Sequence, residues 1–408
     1  RTGTNHWIAM AELDDYRWLV SPSGEKAIEL ASDQLQARDV LAATALVRKT
    51  YSPAQTHLVL EQAQLRAKAR GKFALADRMF FTDVALQQAT SEVIARYKAS
   101  RFPAAEPVYD LCCGIGGDLF SLAGRGPVTG VERDEVTALL ASANCRALEL
   151  ADARIEQRDV KSLSTADMPL IHIDPDRRPQ GRRTTRVDLH EPGEAFLLSL
   201  LEQCAGGAIK LAPAARLPEH WNAQVEREWI SHDGECKQLV VWFGSLARQP
   251  GGKQATALSP DGNEHHSIAA NGEASDNVSC DVAEALGRFV YEPDPAIIAA
   301  GLVPAIADHE GLSQLSAGVA YLTGDGESCS PLLSGFEVLD HTAMDIKRVK
   351  AMLKGHDVGQ LEIKKRGVDV QPEQLQRQLK TKGTRPATLI ITPLMGRVSA
   401  VLARRNNP

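Results

Sequence analysis

A glycine-rich turn with flanking acids is the part of the chain best suited to chemistry. The segment Val108–Asp118 reads VYDLCCGIGGD, so an apolar strand delivers Asp110 and a run of glycines follows it. Gly114, Gly116 and Gly117 can adopt tight-turn conformations, and their missing side chains let a ligand approach the backbone. This arrangement predicts a nucleoside-binding turn at the end of a strand.

Three further acids stand where later strands are predicted to end. Glu132 lies eighteen positions after Gly114, where a carboxylate can accept hydrogen bonds from both ribose hydroxyls. Asp159 is placed to accept from an adenine amino group, and Asp174 lies where the reacting group should point. Acids at successive strand ends meet along one edge of a parallel sheet, so together they predict a single site.

The charge around the turn separates two kinds of nucleoside cofactor. The dinucleotide fingerprint GxGxxG fails because Leu119 occupies its third glycine position. Asp110 and Asp118 would also repel a pyrophosphate, whereas S-adenosylmethionine carries an ammonium and a sulfonium that acids attract. We therefore expect S-adenosylmethionine as the cofactor. The expected contacts are Asp110, Gly114, Gly116, Gly117, Asp118, Glu132 and Asp159.

The elements that position these residues follow from the apolar pattern. Residues up to about 100 read as helical, with helix starts at Ser52-Pro53 and at Thr82-Asp83, the second helix running through Tyr97. From Pro107 strands and helices alternate, which predicts a mostly parallel, doubly wound sheet. The predicted strands are Val108–Cys113, Pro127–Val131, Ala153–Gln157, Leu170–Asp174, Ala208–Leu211 and Gln238–Phe243.

The C-terminal part has its own predicted order, βαβαββ, which is compatible with a ferredoxin-like domain. Its elements are a strand at Phe336–Asp340, a helix at Met344–Leu353, a strand at Gln360–Lys365, a helix at Pro372–Leu379 and a hairpin of Ala387–Thr392 with Arg397–Ala403. The stretch Gln249–Ser279, which contains His265 and His266, reads as a long loop or linker and not as a metal site.

The predicted fold class is therefore α/β: a Rossmann-like methyltransferase sheet with an N-terminal helical region and a C-terminal ferredoxin-like α+β domain. The expected boundaries are 1–100 for the helical region, 101–260 for the S-adenosylmethionine-binding domain, 261–288 for a flexible linker or loop, and 289–408 for the C-terminal domain.

Charge is distributed unevenly along the chain. Residues 346–408 contain fourteen basic and four acidic residues, an excess of ten, and because the whole chain carries −6 the remainder carries −16. Such an asymmetry indicates either an end that faces nucleic acid or a solvated basic surface.

At these motifs the chain resembles the class I, Rossmann-like S-adenosylmethionine-dependent methyltransferases, and within them a subfamily with a C-terminal THUMP-like, ferredoxin-like domain. The matching residues are Gln88-Ala-Thr90, Arg96, Arg101-Phe102, Asp110–Asp118, Asp174-Pro-Asp-Arg-Arg178, Tyr291–Ala296 and Glu362–Gly367. The resemblance implies cofactor contacts at Asp110, Gly114, Gly116, Glu132 and Asp159. It also implies an RNA substrate, because THUMP domains are associated with RNA binding.

The segment after the fourth strand carries the candidate catalytic residues. We expect Asp174 to orient the methyl acceptor or to take its proton, with Asp176 assisting. No aromatic side chain follows Asp174 to stack on a base, so methylation of an exocyclic amine is only weakly supported. A cysteine nucleophile for carbon-5 methylation is not supported either, because Cys112 and Cys113 lie at the cofactor turn and Cys204 precedes its strand.

Two basic clusters are candidate RNA contacts. Arg177 and Arg178 begin an arginine-rich loop suited to phosphate, which continues through Arg182, Arg183 and Arg186. The alternative is a surface loop whose arginines pair with nearby acids such as Asp188 and Glu191. In the tail the candidates are Lys364, Lys365 and Arg366, of which at most two can share one face of a strand.

Several functions stay open at this point. The first is an RNA methyltransferase; the others are a methyltransferase for a protein or small molecule, whose tail serves dimerisation or packing, and a non-catalytic RNA-binding scaffold that retains the cofactor pocket. Seven cysteines without a CxxC pair predict free thiols in a reducing, cytoplasmic compartment, with no metal site and no membrane segment.

Overall fold

The structure is a computed structural model that describes residues 13–166, 168–177, 184–271 and 280–406. The chain divides into two compact units. The first comprises Arg1–Leu211, Ala215–Glu219 and Val241–Arg248, and the second comprises Ala212–Ala214, His220–Val240 and Gln249–Pro408. The described helices include none that is long and apolar enough to cross a membrane.

The first unit begins with helices that carry strong start signals. Ser52 and Gln55 form a capping box at the start of the fourth helix, and Pro53 occupies its first turn, as the sequence predicted. The helices of this unit are α1 (Leu13–Leu19), α2 (Pro22–Ala37), α3 (Val40–Val47), α4 (Pro53–Ala69), α5 (Asp83–Gln88), α6 (Glu92–Ala99), α7 (Leu119–Ala123), α8 (Glu135–Ala147) and α9 (Glu194–Gln203).

The prediction of one helix from Thr82 to Tyr97 was wrong, because the helix breaks after Gln88. Thr82 caps α5 as expected, accepting a hydrogen bond from the backbone N–H of Ala85. Ala89 then adopts an extended conformation, with φ −58° and ψ 136°, and α6 starts afresh at Glu92. The break leaves Ala89–Ser91 free to reach another part of the unit, and Thr90 does so at the glycine-rich turn.

A parallel sheet forms the centre of the first unit. Its strands are β1 (Val108–Leu111), β2 (Val128–Glu132), β3 (Ala153–Gln157), β4 (Leu170–Ile173) and β5 (Gly206–Leu211). They lie in the order β3-β2-β1-β4-β5, and each neighbouring pair is parallel. The order reverses direction between β1 and β4, so the crevice at their carboxyl ends is where a doubly wound sheet binds its ligand.

The second unit contains a group of strands that the sequence analysis only partly recognised. They are β6 (Glu226–His232), the first half of β7 (Glu235–Gly244), β8 (Lys253–Leu258) and β9 (His265–Ala270). The interpretation of Gln249–Ser279 as a long loop was wrong where β8 and β9 pair as antiparallel strands. β9 has a mostly exposed, polar surface, and a polar edge strand reads like a loop in sequence. Within the described residues no group of three His, Cys, Asp or Glu could hold a metal ion.

A seven-stranded sheet with flanking helices completes the second unit. Its elements are β10 (Phe289–Pro293), α10 (Pro295–Ala300), α11 (Val303–Glu310), β11 (Ser313–Gln314), β12 (Leu322–Gly324), β13 (Leu333–Ala343), α12 (Ile346–Gly355), β14 (Val358–Lys365), α13 (Pro372–Leu379), β15 (Arg385–Leu394) and β16 (Arg397–Arg405). The strand order is β11-β12-β10-β13-β16-β15-β14. From β13 onward the predicted βαβαββ succession is confirmed.

Candidate active site

The glycine-rich turn follows β1 and is held in a left-handed conformation at several positions. Cys112 and Gly114 both have φ 56°, and Gly116 has φ 99°. A Cβ atom at Gly116 would lie 2.3 Å from the ring of Phe120, whereas one at Gly114 would meet nothing within 4 Å. Gly116 is therefore required by packing, and Gly114 leaves open space beside the backbone.

Gly117 lets the break between α5 and α6 lie directly against the turn. A Cβ atom at Gly117 would be 3.0 Å from the backbone nitrogen of Thr90 and 3.1 Å from its carbonyl oxygen. The hydroxyl of Thr90 donates a 2.6 Å hydrogen bond to Oδ2 of Asp118. The segment Gln88-Ala-Thr90 thus forms one wall of the turn, which the sequence motif alone did not establish.

A chain of buried polar side chains connects the turn to the sheet. Nζ of Lys98 lies 2.7 Å from Oδ1 of Asp118 and 3.1 Å from Nε2 of His172. His172 in turn lies 2.7 Å from Oδ1 of Asp110 through its Nδ1. Because an ammonium can only donate, Nε2 of His172 is placed to accept from Lys98, while Nδ1 faces the carboxylate of Asp110. Sequence analysis missed Lys98 and this role of His172, and it gave Thr90 only as part of the family resemblance, without a contact.

Burial and pairing set the charge states of this network. Burial would raise the pKa of Asp118, but the ammonium of Lys98 and other nearby groups, Lys210 among them, together outweigh it and hold that pKa well below its usual range. Burial lowers the pKa of Lys98, and Asp118 partly offsets the effect. Burial also raises the pKa of Asp110, and among the described residues its Oδ2 has no hydrogen-bond partner. Removing either partner of such a buried ion pair would leave an uncompensated charge in the interior and destabilise the fold.

Two of the predicted cofactor contacts, Asp110 and Asp118, are buried and engaged by other side chains inside the protein. Asp110 is 1% exposed and Asp118 is 7% exposed. Lys98 and Thr90 engage the two carboxylate oxygens of Asp118 inside the protein. Both acids are therefore placed to hold the turn, and direct contact of their carboxylates with a cofactor has no support in these distances.

Glu132 and Asp159 lie at the ends of neighbouring strands, β2 and β3. Oε2 of Glu132 accepts a 3.1 Å hydrogen bond from the backbone N–H of Gly114, and Oε1 accepts one of 2.9 Å from Asp134. Burial raises the pKa of Glu132, and these backbone hydrogen bonds work against that shift. Asp159 is exposed and accepts a 2.9 Å hydrogen bond from the backbone N–H of Lys161. The two carboxylates thus flank the ligand edge of the sheet.

Asp174 follows β4 and is paired with a residue that sequence analysis did not select. Lys210, near the end of β5, forms an ion pair with Oδ2 of Asp174 and lies 3.4 Å from the carbonyl oxygen of Gln88. Burial would lower the pKa of Lys210, but the carboxylates of Asp174 and Asp118 outweigh it and the pKa is raised. Lys210 is therefore a cation that links the fourth strand end to the α5–α6 break.

The loop after Asp174 is only partly described. The backbone of Asp176 exchanges hydrogen bonds of 2.8 and 2.9 Å with Glu191, and the carbonyl of Arg177 accepts one from Thr184. Arg186 pairs with Asp188, with a shortest separation of 2.6 Å, as the surface-loop alternative expected. The predicted contacts at Arg178, Arg182 and Arg183 lie outside the described residues.

The three tail candidates occupy both faces of β14 in the second unit. Glu292 binds two of them, at 2.6 Å to Nζ of Lys364 and 2.9 Å to Nη2 of Arg366. Lys365 lies between them and is exposed. Two of the three predicted RNA contacts are therefore engaged by an acid of their own domain.

The sheet order and the acid-flanked turn are those of a Rossmann-like, nucleoside-binding fold. Two proteins from two strains of Mycobacterium tuberculosis, each described as an uncharacterized S-adenosylmethionine-dependent methyltransferase, are 34% identical over 357 residues, which cover 85% of this chain and 95% of theirs. The chain belongs to the family of S-adenosylmethionine-dependent methyltransferases that includes them, and S-adenosylmethionine is its cofactor.

Other comparisons agree with the fold. The crystal structure of a putative methyltransferase from Porphyromonas gingivalis matches with a TM-score of 0.79 at 21% identity, covering 94% of this chain and 99% of that one. A family model described as THUMP domain-like matches residues 333–405. A second, described as a domain of unknown function, matches residues 12–69.

The residues present at the turn fit this cofactor. Open space beside Gly114 and the carboxylate of Glu132 at the end of β2 can receive a nucleoside. Glu132 and Asp159 place carboxylates at this edge of the sheet, which suits a cofactor that carries positive charge and no phosphate.

Proposed function

We propose that this S-adenosylmethionine-dependent methyltransferase acts on RNA. The observation that carries the proposal is the excess of ten basic over acidic residues in 346–408, where all fourteen basic residues fall in the segment matched by the THUMP domain-like model. A polyanionic substrate is attracted by such a charge excess. The seven free cysteines favour a reducing compartment, and we place the enzyme in the cytoplasm on that basis.

In this proposal the cofactor is held at the ends of the first three strands. Gly114, Gly116 and Gly117 shape the turn, Glu132 binds the ribose, and Asp159 binds the adenine. The bound cofactor supplies an electrophilic methyl group on a sulfonium. Asp110 and Asp118 act from within the protein, by fixing the turn through His172 and Lys98.

Asp174 is the residue that we propose to contact the methyl acceptor. Lys210 holds its Oδ2, and the described contacts include none to its Oδ1, which is the atom we assign to the acceptor. There Oδ1 would orient the acceptor group and receive its proton. Asp176 follows two residues later as a second acid, and Arg177 and Arg178 are retained as proposed contacts to phosphate.

The thiols do not favour a covalent cysteine mechanism. Burial raises the pKa of Cys112 well above its usual range, and burial raises the pKa of Cys204 to about 11. Both thiols are therefore protonated near neutral pH, and a protonated thiol is a poor nucleophile. The acceptor atom is expected to attack the methyl carbon directly, displacing the sulfur, without first forming an adduct with the protein.

A second candidate is methylation of a protein or small molecule. It is favoured by one observation, the engagement of Lys364 and Arg366 by Glu292, because cations used for internal packing contribute less to binding a polyanion. In that case the C-terminal domain would serve packing or dimerisation.

The test is transfer of a labelled methyl group from S-adenosylmethionine to total RNA, total protein and a small-molecule extract. Incorporation into RNA that is lost on ribonuclease treatment and in Asp174→Asn is the expected result. Incorporation confined to the protein or small-molecule fraction would replace the RNA proposal with the second candidate. If no fraction is labelled although the protein binds S-adenosylmethionine, the chain would instead be a non-catalytic scaffold that retains the cofactor pocket.

A further inference from the structure

The last two helices of the C-terminal domain form one layer on its sheet. α12 and α13 contact each other and bury apolar residues against the same side of the strands. The shared core contains Val349, Met352, Leu353, Leu375, Leu379, Leu389, Ile391, Ala400 and Leu402. The opposite, outer surface of both helices is exposed to solvent.

Basic side chains occupy that outer surface. Lys347, Lys350 and Lys354 stand at positions i, i+3 and i+7 of α12, so they share one stripe of the helix, and all three are exposed. Arg377 is exposed on α13. Further exposed cations on or just after the two helices are Arg348, Lys380 and Lys382.

Among the described residues these cations have no acidic partners, unlike four of the cations on or just after the strands of the same domain. On the strands, Glu292 binds Lys364 and Arg366, Glu337 binds Arg404, and Glu362 binds Arg405. Within the described parts of the chain, no carboxylate lies within ion-pair distance of the seven cations on and after the helices. Three exposed cations on the strands, Lys365, Arg385 and Arg397, also lack an ion pair among the described residues, so seven of the ten unpaired cations of the tail lie on or just after the two helices.

We propose that the outer surface of the α12–α13 layer binds the phosphate backbone of RNA, an inference that rests on the proposed RNA substrate. Exposed, unpaired lysines on one stripe suit phosphates, because each contact releases a condensed counterion. Neither helix contains an aromatic residue on which a base could stack. The surface therefore contributes affinity with little sequence preference, as backbone contacts do.

The full chain tests this with a fluorescently labelled single-stranded RNA of mixed sequence, whose Kd is measured by anisotropy between 50 and 200 mM salt. The variant is Lys347→Gln/Lys350→Gln/Lys354→Gln. A matched control, Lys26→Gln/Arg48→Gln/Lys49→Gln, removes the same charge from exposed positions of the first unit. Losing three phosphate contacts should reduce the salt slope by about 2, so the ratio of variant to wild-type Kd should be roughly 15 to 20 times larger at 50 mM than at 200 mM.

The outcomes separate this surface from the proposed substrate. An unchanged slope in the helix variant, or the same change in the control, overturns the inference. So does binding to vesicles of anionic lipid that exceeds binding to RNA and is lost in the helix variant. If RNA is methylated but the helix variant leaves the KM for RNA unchanged, the substrate proposal stands and the proposed binding surface is wrong. If RNA binds through this surface but is never methylated, the binding surface stands and the substrate proposal is wrong.

Discussion

The ammonium of Lys98 lies 2.7 Å from the carboxylate of Asp118, and the two side chains are 2% and 8% exposed. The pair joins helix α6 to the glycine-rich turn inside the first unit. Removing the cation leaves a carboxylate buried without its partner, so Lys98→Met should lower the free energy of unfolding by about 3–5 kcal/mol. Urea unfolding measures this loss. Lys26→Met, at an exposed position, is the control, and an equal effect in both variants would contradict the role of the ion pair.

Gly117→Ala should disturb the turn from its other side. The new Cβ would approach the Thr90 backbone to about 3.0 Å, so the wall formed by Gln88-Ala-Thr90 must shift. We expect a loss of about 1–3 kcal/mol in unfolding free energy together with weaker cofactor binding. Gly124→Ala is the matched control, because its Cβ would meet only a carbonyl oxygen at 3.4 Å. Thermal unfolding with and without S-adenosylmethionine distinguishes the two, and equal behaviour of the variants would rule out the steric argument.

Glu132→Ala should weaken the binding of S-adenosylmethionine. The substitution removes the proposed ribose acceptor and leaves the Gly114 N–H without its carboxylate. Loss of such charged hydrogen bonds corresponds to roughly a 10- to 100-fold increase in Kd. Calorimetric titration with S-adenosylmethionine, its demethylated product and NAD measures this, with Glu106→Ala as an exposed control. Wild-type affinity in Glu132→Ala would remove this residue from the cofactor site.

Asp174→Asn should separate chemistry from cofactor binding. Loss of the acceptor-side carboxylate is expected to reduce kcat by about 10²–10⁴-fold while the Kd for S-adenosylmethionine changes little. Lys210→Arg, which preserves a cation beside Asp174, should retain more activity than Lys210→Met. Single-turnover methyl transfer measures both effects. Full activity in Asp174→Asn, or equal activity in the two Lys210 variants, would show that this pair has no part in the reaction.

The Asp174–Lys210 pair also has a predicted pH dependence. Because the folded pKa of Lys210 is raised, the pair stabilises the fold fully below the unfolded lysine pKa of about 10.4 and ceases to do so as pH rises through the folded value. The difference in unfolding free energy between wild type and Lys210→Gln should therefore be present at pH 8 and shrink towards pH 11. Urea titrations across that range check the sign, and a difference that grows with pH would contradict it.

Much of the fold was predictable because its signals are local. Short strand-like segments between helical patterns predicted the strands β1 to β5, and Pro372 with its following pattern predicted α13 to the residue. The edge strand β9 was missed because exposed strands carry polar residues that resemble loops. The break after Gln88 was missed because the helical pattern of its neighbours continues across it.

Site residues could be predicted only where a chemically suitable side chain stands at a recognisable position in the sequence, such as the end of a strand. Glu132, Asp159 and Asp174 follow strands, so their common edge could be inferred. Lys98 and Lys210 meet their partners only after the chain has folded, and nothing in their neighbourhoods marks a lysine as buried. A histidine within the apolar run Leu170–Ile173 was the one available indication of a buried polar network.

The broken helix between α5 and α6 limits how this enzyme can be divided or recombined. A fragment beginning at residue 101 would keep every glycine of the cofactor turn but lose Thr90, Lys98 and the carbonyl that Lys210 contacts. The catalytic sheet would then carry unmatched charges in its interior. In evolution, therefore, the sheet cannot be exchanged between proteins by itself, because residues 88–98 have to be inherited together with it.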